Sequence, residues 1–461
     1  MNSKVSAWLD SLLGKKILVL GLGVSNRPLV RMLLDHGCAV TGCDAAPYEK
    51  LDDEVLELER QGLTLKTGPD YLNDLSADVV FRTPGLHPDR PELKALREGG
   101  AQMTSEMEAF FRVCPCPIIA VTGSDGKTTT TTLISELLKK AGHTVWLGGN
   151  IGTPLLPQAE NMSPSDFAVV ELSSFQLMYF PCSAHIAVIT NLAPNHLDIH
   201  KDMDEYVSAK ENVYLRQNAG DTLILNMDNA ITHSFVPKAP GKCLEFSRMG
   251  KPENGVFLRD GVICRAENGT ETELLRQSDI LLPGIHNVEN YMAAICAVQE
   301  FVSPADILDV ARTFGGVEHR IELVRVKDGV RFYNDSIASS PSRTIAGLRS
   351  FPEKVILIAG GYDKHIPYDV LGPEICAHVK LLVLTGTTAP KIRDAVLAAP
   401  EYCEGFPEIV EIDDFTEAVH AAAERAEAGD VVLLSPASAA FDKFKNFMVR
   451  GRFFKELVRA L

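Results

Sequence analysis

The residues best equipped for chemistry lie together: Gly123, Ser124, Asp125, Gly126, Lys127, Thr128 and Thr129. They follow the apolar run Ile118 to Val121 and precede Leu133, Ile134, Leu137 and Leu138 at helical spacing. Strand, glycine loop, Lys-Thr pair and helix make a cradle for a polyphosphate. Glycines let backbone N–H groups approach the anion, and the helix N-terminus adds partial positive charge. Lys127 supplies a full charge, and the Thr128 hydroxyl suits Mg²⁺. The loop is shorter than the common G-x-x-x-x-G-K-[ST] form. A plain glycine turn before a helix with a surface lysine is the alternative, and the flanking strand and helix favour the phosphate cradle. Glu171 ends the strand-like run from Phe167, and His196 follows the run Ala184 to Asn191. In a parallel sheet such strand ends face the ligand crevice, so Glu171 and His196 are expected to converge on a metal near Thr128. Asn287 and Asn290 share a helix face and suit a heterocycle such as adenine, although asparagine caps would give the same pattern. Lys210, on a helical stretch from Asp204 to Tyr214, reads by itself as an ordinary solvated lysine.

The elements that must hold these residues divide into three segments. In residues 1–105, a strand at Lys16 to Leu20 runs into Gly21-Leu-Gly23-Val24-Ser25, and a second strand ends in Asp44. This is a Rossmann-like nucleotide layout, but Asn26 stands at the third glycine position, so NAD chemistry is not expected. A strand at Ala77 to Phe81 leads into Arg82-Thr-Pro84-Gly85, a loop that fits a ligand crevice or a bland turn. Residues 106–316 carry the phosphate loop, the glycine-rich Gly148-Gly149-Asn150-Ile-Gly152, and Glu171-Leu-Ser173-Ser-Phe-Gln176. Residues 317–461 show strands at Val330–Asn334, Lys354–Ala359, Lys380–Leu384 and Asp430–Leu434, with a helix at Asp414 to Ala428. Asp335-Ser336, Gly360 to Lys364 and Ser435 to Ser438 follow strands there, and the tail from Phe441 reads as a solvated amphipathic helix. The expected fold class is α/β in three domains: an N-terminal Rossmann-like nucleotide domain, a central P-loop ATPase domain with a mostly parallel sheet, and a C-terminal Rossmann-like domain.

Composition sets the bounds. At 461 residues the chain holds about three domains of ~150 residues. With 46% hydrophobic and 23% charged residues it has the make-up of a soluble globular protein. A net charge of −16 argues against nucleic acid as a partner and leaves local cations to attract an anionic nucleotide. The ten cysteines are scattered, Cys114-Pro-Cys116 being the closest pair, and are expected to be reduced thiols in a cytoplasmic protein. No apolar run approaches the ~20 residues of a membrane span. A cytoplasmic monomer acting on small molecules is expected.

The order of Gly123-Ser-Asp-Gly-Lys-Thr-Thr, Gly149-Asn150-Ile-Gly, Glu171-Leu-Ser-Ser-Phe-Gln, Asn191 through Asp198 and Gly284 through Asn290 resembles that of the Mur ligases, over essentially the whole chain. The Gly21-Leu-Gly23-Val-Ser pattern and the run Glu171 to Leu177 look most like the D-glutamate-adding members. The resemblance implies an ATP-dependent amide ligase with UDP-N-acetylmuramoyl-L-alanine, D-glutamate and ATP as substrates and two Mg²⁺ sites. It implies that Lys210 is carbamylated, which turns a cation into a hard oxygen ligand for the second Mg²⁺. Thr128 and Glu171 would hold the first Mg²⁺, with His196 beside the second. Gly23, Val24, Ser25, Asp44, Gly85, Asn150, Ser173 and His196 would meet the uridine nucleotide substrate. Asn287 and Asn290 would meet adenine, and Arg320 and Asp335 the nucleotide. Ser339, Lys364 and Phe447 would meet D-glutamate. This chain departs from the family at Ile337 and Ser339, where lysine and threonine are common, and at Ala440, where a serine is common; Ser339, Ser340 or Arg343 is the expected substitute carboxylate partner. A ligase adding L-alanine or a diamino acid is the nearest alternative, but no Asp-Asn-Pro-Arg stretch is present. A folylpolyglutamate synthetase would lack the N-terminal domain and carry Gly-Lys-Gly-Ser. A regulatory nucleotide-binding module would not need Lys127, Glu171, His196 and Lys210 together.

Overall fold

The computed structural model describes residues 3–196, 199–364 and 366–461. The chain divides into two units, Met1–Asp279 with Val288–Val310 and Ile280–Asn287 with Ala311–Leu461.

The first unit holds two sheets. One contains β1 (Ile17–Leu20), β2 (Val40–Asp44), β3 (Thr64–Thr67), β4 (Val79–Arg82) and β5 (Gln102–Thr104), in the order β3-β2-β1-β4-β5. All its pairings are parallel. β1 and β4 are buried along their whole length, as expected for strands covered on both faces. The other sheet contains β6 (Ile118–Thr122), β7 (Val145–Gly149), β8 (Phe167–Glu171), β9 (Ile186–Ile189), β10 (Thr222–Asn226), β11 (Lys242–Ser247), β12 (Gly255–Arg259), β13 (Val262–Glu267) and β14 (Thr270–Arg276). Its order is β14-β13-β12-β11-β10-β9-β6-β8-β7. The sheet is parallel from β7 to β12, and β13 and β14 fold back as antiparallel hairpin strands. One continuous apolar core joins these two sheets, from Val5 and Val19 through Phe110 and Ile118 to Leu172 and Phe235.

The second unit holds β15 (Glu322–Lys327), β16 (Val330–Asn334), β17 (Val355–Ala359), β18 (Val379–Leu384), β19 (Glu408–Glu411) and β20 (Val431–Leu434), ordered β15-β16-β20-β17-β18-β19. β17 is wholly buried, and helices cover both faces through separate apolar clusters. The solvated tail expected from the sequence is corrected here. The Phe447–Ala460 helix buries Arg450, Gly451, Phe454 and Val458. Its aromatic-cationic mixture reflects one face on the sheet and one in water.

Candidate active site

β6 is the centre of the site. It lies between β8 and β9 in parallel register, so its C-terminal end opens between theirs. The loop that follows is tight enough to require glycine. A side chain at Gly123 (φ +145) would put Cβ 1.9 Å from Thr190 Oγ1, and one at Gly126 (φ +76) would put it 2.3 Å from Asn290 Oδ1. Polar bonds fix the loop from the next strand: Ser124 N–H donates to Asn191 O (2.8 Å), Asp125 N–H to Asn191 Oδ1 (2.9 Å), and Thr190 Oγ1 to Asp125 O (2.6 Å). Ser124 Oγ also meets Tyr206 OH at 2.8 Å. The helix Lys127–Lys140 starts directly from Gly126, so its first N–H groups face the loop.

The catalytic candidates gather around this loop. Lys127 Nζ donates to Ser124 O at 2.8 Å. Thr128 Oγ1 donates to Glu171 Oε2 (2.7 Å), and Asn150 Nδ2 donates to Glu171 Oε1 (2.8 Å). Glu171 is only 2% exposed, at the end of β8, and it joins the phosphate loop to the Gly149-Asn150 turn. Hydroxyl and carboxylate are hard oxygen donors, the kind Mg²⁺ takes.

Lys210 corrects the expectation of a solvated lysine. It is 1% exposed on the Met203–Glu211 helix, and its ammonium donates to Gly123 O (2.9 Å) and Thr122 Oγ1 (3.1 Å), 4.8 Å from the Tyr206 ring centre. Burial holds its ammonium well below the ordinary lysine range, and the Lys127 charge pushes the same way. The neutral amine is the form that reacts with carbon dioxide, and burial favours that form at Lys210.

His196 is exposed with φ +56, its ring edge-on to Phe175 at 5.1 Å. Leu197 and Asp198 of the same stretch lie outside the described residues. Ser173 spends its side chain on a capping box with Gln176, which anchors the turn after Glu171. Asn290 accepts from Thr130 Oγ1 (3.3 Å) beside Gly126, and Asn287, on the same Ile285–Val298 helix, donates to Pro283 O (2.6 Å). In the first sheet, Gly23, Val24 and Ser25 are exposed after β1, and Gly85 follows β4, next to β1. Asp44, at the end of β2, accepts from the backbone N–H groups of Leu22 (2.8 Å) and Ala46 (2.9 Å), so it braces the glycine turn. Asn26 fills the missing glycine's place usefully, donating through Nδ2 to Gly21 O at 2.7 Å.

A seam runs between the loop after β4 and the second sheet's elements. Asp89 accepts from Tyr179 OH (3.0 Å) and Lys201 Nζ (2.9 Å), while His87 Nε2 lies 3.6 Å from Glu205. His87, Asp89 and Glu205 each offer a donor atom within 4.8 Å of the others. The Lys201 ammonium, bonded to Asp89 and 3.3 Å from Glu205, supplies the positive charge there, so the cluster is an ion-pair seam.

In the second unit, Asp335 is 4% exposed after β16 and accepts from Ser435 Oγ (2.8 Å) and Ile321 N–H (3.3 Å); burial pushes its carboxyl up to about 7. Arg320 is exposed, and its charge acts to favour ionised Asp335. Phe447 lies edge-on to His319 at 6.0 Å. Lys364 is exposed and Ser339 half-buried, whereas Ala440 is buried. Arg450 carries a role that sequence reasoning missed. Its buried guanidinium donates to Ser336 Oγ and O, Ser438 O and Ala439 O at 3.0–3.1 Å, tying together the turns after β16 and β20. A lone arginine among aromatics and lysines carries no signal of that burial.

All ten cysteines are free thiols. Among the described residues no helix is long and apolar enough to cross a membrane. Residues 121–298 match the Mur ligase middle domain, and residues 319–438 match the glutamate ligase domain of the Mur ligases. The chain is 51% identical to the UDP-N-acetylmuramoylalanine–D-glutamate ligase of Acetivibrio thermocellus and 48% identical to that of Ruminiclostridium cellulolyticum, with both chains of each pair covered completely. Among solved structures it is similar in fold to the UDP-N-acetylmuramate-alanine ligase of Thermotoga maritima (TM-score 0.58, 18% identity, 97% and 99% of the two chains). A MurF ligase of Thermotoga maritima in complex with ADP is also similar (TM-score 0.52, 18% identity, 92% and 96%). With a phosphate loop, an acidic strand end and a buried lysine at one sheet edge, and full-length relatives of this kind, the chain belongs to the Mur ligase family.

Proposed function

We propose that this chain joins D-glutamate to UDP-N-acetylmuramoyl-L-alanine at the expense of ATP, as a cytoplasmic monomer in peptidoglycan precursor synthesis. The observation that carries the reading is the set Lys127, Thr128, Glu171 and Lys210 around one loop at the C-terminal edge of β6 and β8. Simple nucleotide binding needs the loop; it does not need a buried amine and a buried carboxylate beside it. The segment 1–105 takes the uridine nucleotide, 106–316 binds ATP, and 317–461 takes the amino acid and contributes to the ATP site. Gly23, Val24, Ser25, Asp44, Gly85, Asn150, Ser173 and His196 receive the uridine nucleotide substrate.

A carboxylate is a poor acyl donor because oxide would have to leave. Its oxygen attacks the γ-phosphorus of ATP, ADP departs, and an acyl phosphate results. The D-glutamate amine then attacks the acyl carbon, loses a proton, and the tetrahedral intermediate expels inorganic phosphate. Gly123 to Thr129 hold the phosphates, with Lys127 placing a fixed cation at the β/γ-phosphates. Thr128 and Glu171 would hold one Mg²⁺, and carbamylated Lys210 with His196 a second; such ions, when bound, neutralise charge on the transferring phosphoryl group. Asn287, Asn290, Arg320 and Asp335 serve the nucleotide. Lys364 meets a D-glutamate carboxylate, with Ser339 and Phe447 beside it.

An amino-acid panel offered with UDP-N-acetylmuramoyl-L-alanine and ATP, followed by phosphate release, tests this. Phosphate is expected with D-glutamate and only when all three substrates are present. Release driven by L-alanine or a diamino acid instead would reject the assignment.

A further inference from the structure

Arg82 is the last residue of β4 and is 7% exposed, yet none of the roles above uses it. Its Nη1 donates to the carbonyl of Leu86 (2.6 Å), with Thr83 O (3.3 Å) and Pro84 O (3.4 Å) also in reach. The loop Thr83 to Leu86 therefore curls around one guanidinium nitrogen. From the other side of the fork, Nη2 donates to Phe175 O at 3.4 Å. Phe175 lies in the turn after Glu171, and its ring is edge-on to His196 (5.1 Å) and stacked on His200 (5.2 Å, 9° between planes). One side chain thus grips a loop of the first sheet with one nitrogen and a turn of the second with the other. Burial lowers the Arg82 pKa, and the nearby Glu108 carboxylate opposes that shift. A buried cation aimed at four carbonyls is a costly way to close a bland turn, because a neutral donor or a tighter turn would serve.

We propose that Arg82 is a positioning residue for the uridine nucleotide substrate: it holds the Thr83–Gly85 loop in its binding shape and sets that loop against the Phe175 turn that backs His196. The proposal rests on the reading of this loop as part of the uridine nucleotide site. The planar fork is what the job needs. A lysine ammonium could keep the charge beside Glu108 but is a point donor that cannot span both carbonyl sets.

The test uses the full-length enzyme with Arg82→Lys, Arg82→Ala and Gly85→Leu, measuring kcat, the KM of each substrate and the melting temperature. Arg82→Lys and Arg82→Ala are expected to raise the KM for UDP-N-acetylmuramoyl-L-alanine roughly tenfold or more, the effect of losing a charge-assisted bond. The KM values for ATP and D-glutamate should stay within about twofold. Millimolar guanidinium should lower the raised KM of Arg82→Ala and leave the wild type unchanged. If Arg82→Ala is insoluble, Arg82→Lys decides, since it retains the buried charge. A lower melting temperature with an unchanged KM for the uridine substrate in Arg82→Lys would overturn the proposal and leave Arg82 a structural tie. Gly85→Leu separates this from the underlying reading, because a Cβ at Gly85 meets open space. A normal KM in Gly85→Leu would remove the loop from the substrate site, whereas a raised KM there with normal Arg82 variants would reject only the positioning role.

Discussion

Glu171 receives one hydrogen bond on each carboxylate oxygen, from Thr128 Oγ1 and Asn150 Nδ2. This makes Glu171→Gln an unusually clean substitution. The glutamine oxygen can keep the Asn150 bond, and a threonine hydroxyl can accept from the new amide as readily as it donated to the acid. Only the negative charge is lost. We expect a melting temperature close to wild type and a fall in kcat of roughly a hundredfold or more, the scale of losing one electrostatic element at a phosphoryl-transfer site. Initial rates and a thermal melt on the same preparation check this, and wild-type turnover would remove Glu171 from the metal site. Lys210 needs a different variant, since its proposed active form is a covalent adduct. Lys210→Ala should be nearly inactive, with partial recovery on adding a short carboxylate such as formate or acetate. An unmodified Lys210 in the mass spectrum and density of an active, substrate-bound crystal would reject the carbamate. Sequence gave no access to this environment: a lysine on a short helix looks solvated, and only the packing of that helix under the Gly123 carbonyl buries its ammonium.

At the scale of elements, the proposed phosphate loop holds its shape because two glycines allow it to pass close to neighbouring strands and helices. Gly126 has φ +76, and an added Cβ would meet Asn290 Oδ1 at 2.3 Å. Gly126→Ala therefore strains the backbone by about 1 kcal/mol and also displaces Asn290 or the loop. We expect weaker ATP binding by calorimetry together with a lowered melting temperature; unaltered ATP affinity would mean the loop does not close on phosphate in this conformation. The strands that carry the site were legible because they are fully buried parallel strands: Phe167–Glu171 appears in the sequence as the same apolar run that forms β8. The expected Asp414–Ala428 helix forms over Phe415–Glu424. Edge strands escaped. β14 is mostly exposed and β19 begins and ends in glutamate, so neither has the apolar run or clear alternation that marks a strand. Arg450 and Arg82 escaped for a related reason: a charge reads as a surface residue until tertiary packing supplies carbonyls around it.

For the whole molecule, the two units share one electrostatic trait: each buries a carboxyl group whose pKa is pushed up to about 7 by loss of water, Glu106 in the first and Asp335 in the second. Glu106 accepts from the backbone N–H of Leu156 at 3.0 Å, bracing the segment that follows the Asn150 turn. The direction of the shift decides the effect of pH. The folded protein keeps a proton on Glu106 that the unfolded chain, with a value near 4.5, has released. The folded state therefore binds more protons between about 4.5 and 7, and its stability falls as pH rises through that window. A shift of this size corresponds to about 3 kcal/mol at most, reached above pH 7. Glu106→Gln keeps an acceptor for Leu156 and cannot ionise. Its melting temperature relative to wild type should therefore climb between pH 5 and pH 8, whatever its starting value at pH 5. Asp335→Asn should show the same trend in the second unit, over a window that opens near the ordinary aspartate value of 3.8. Scanning calorimetry of the three proteins across that range is the measurement. A gap between Glu106→Gln and wild type that stays constant with pH would mean that Glu106 is charged and solvated in the folded chain, and that another force holds the Leu156 segment in place.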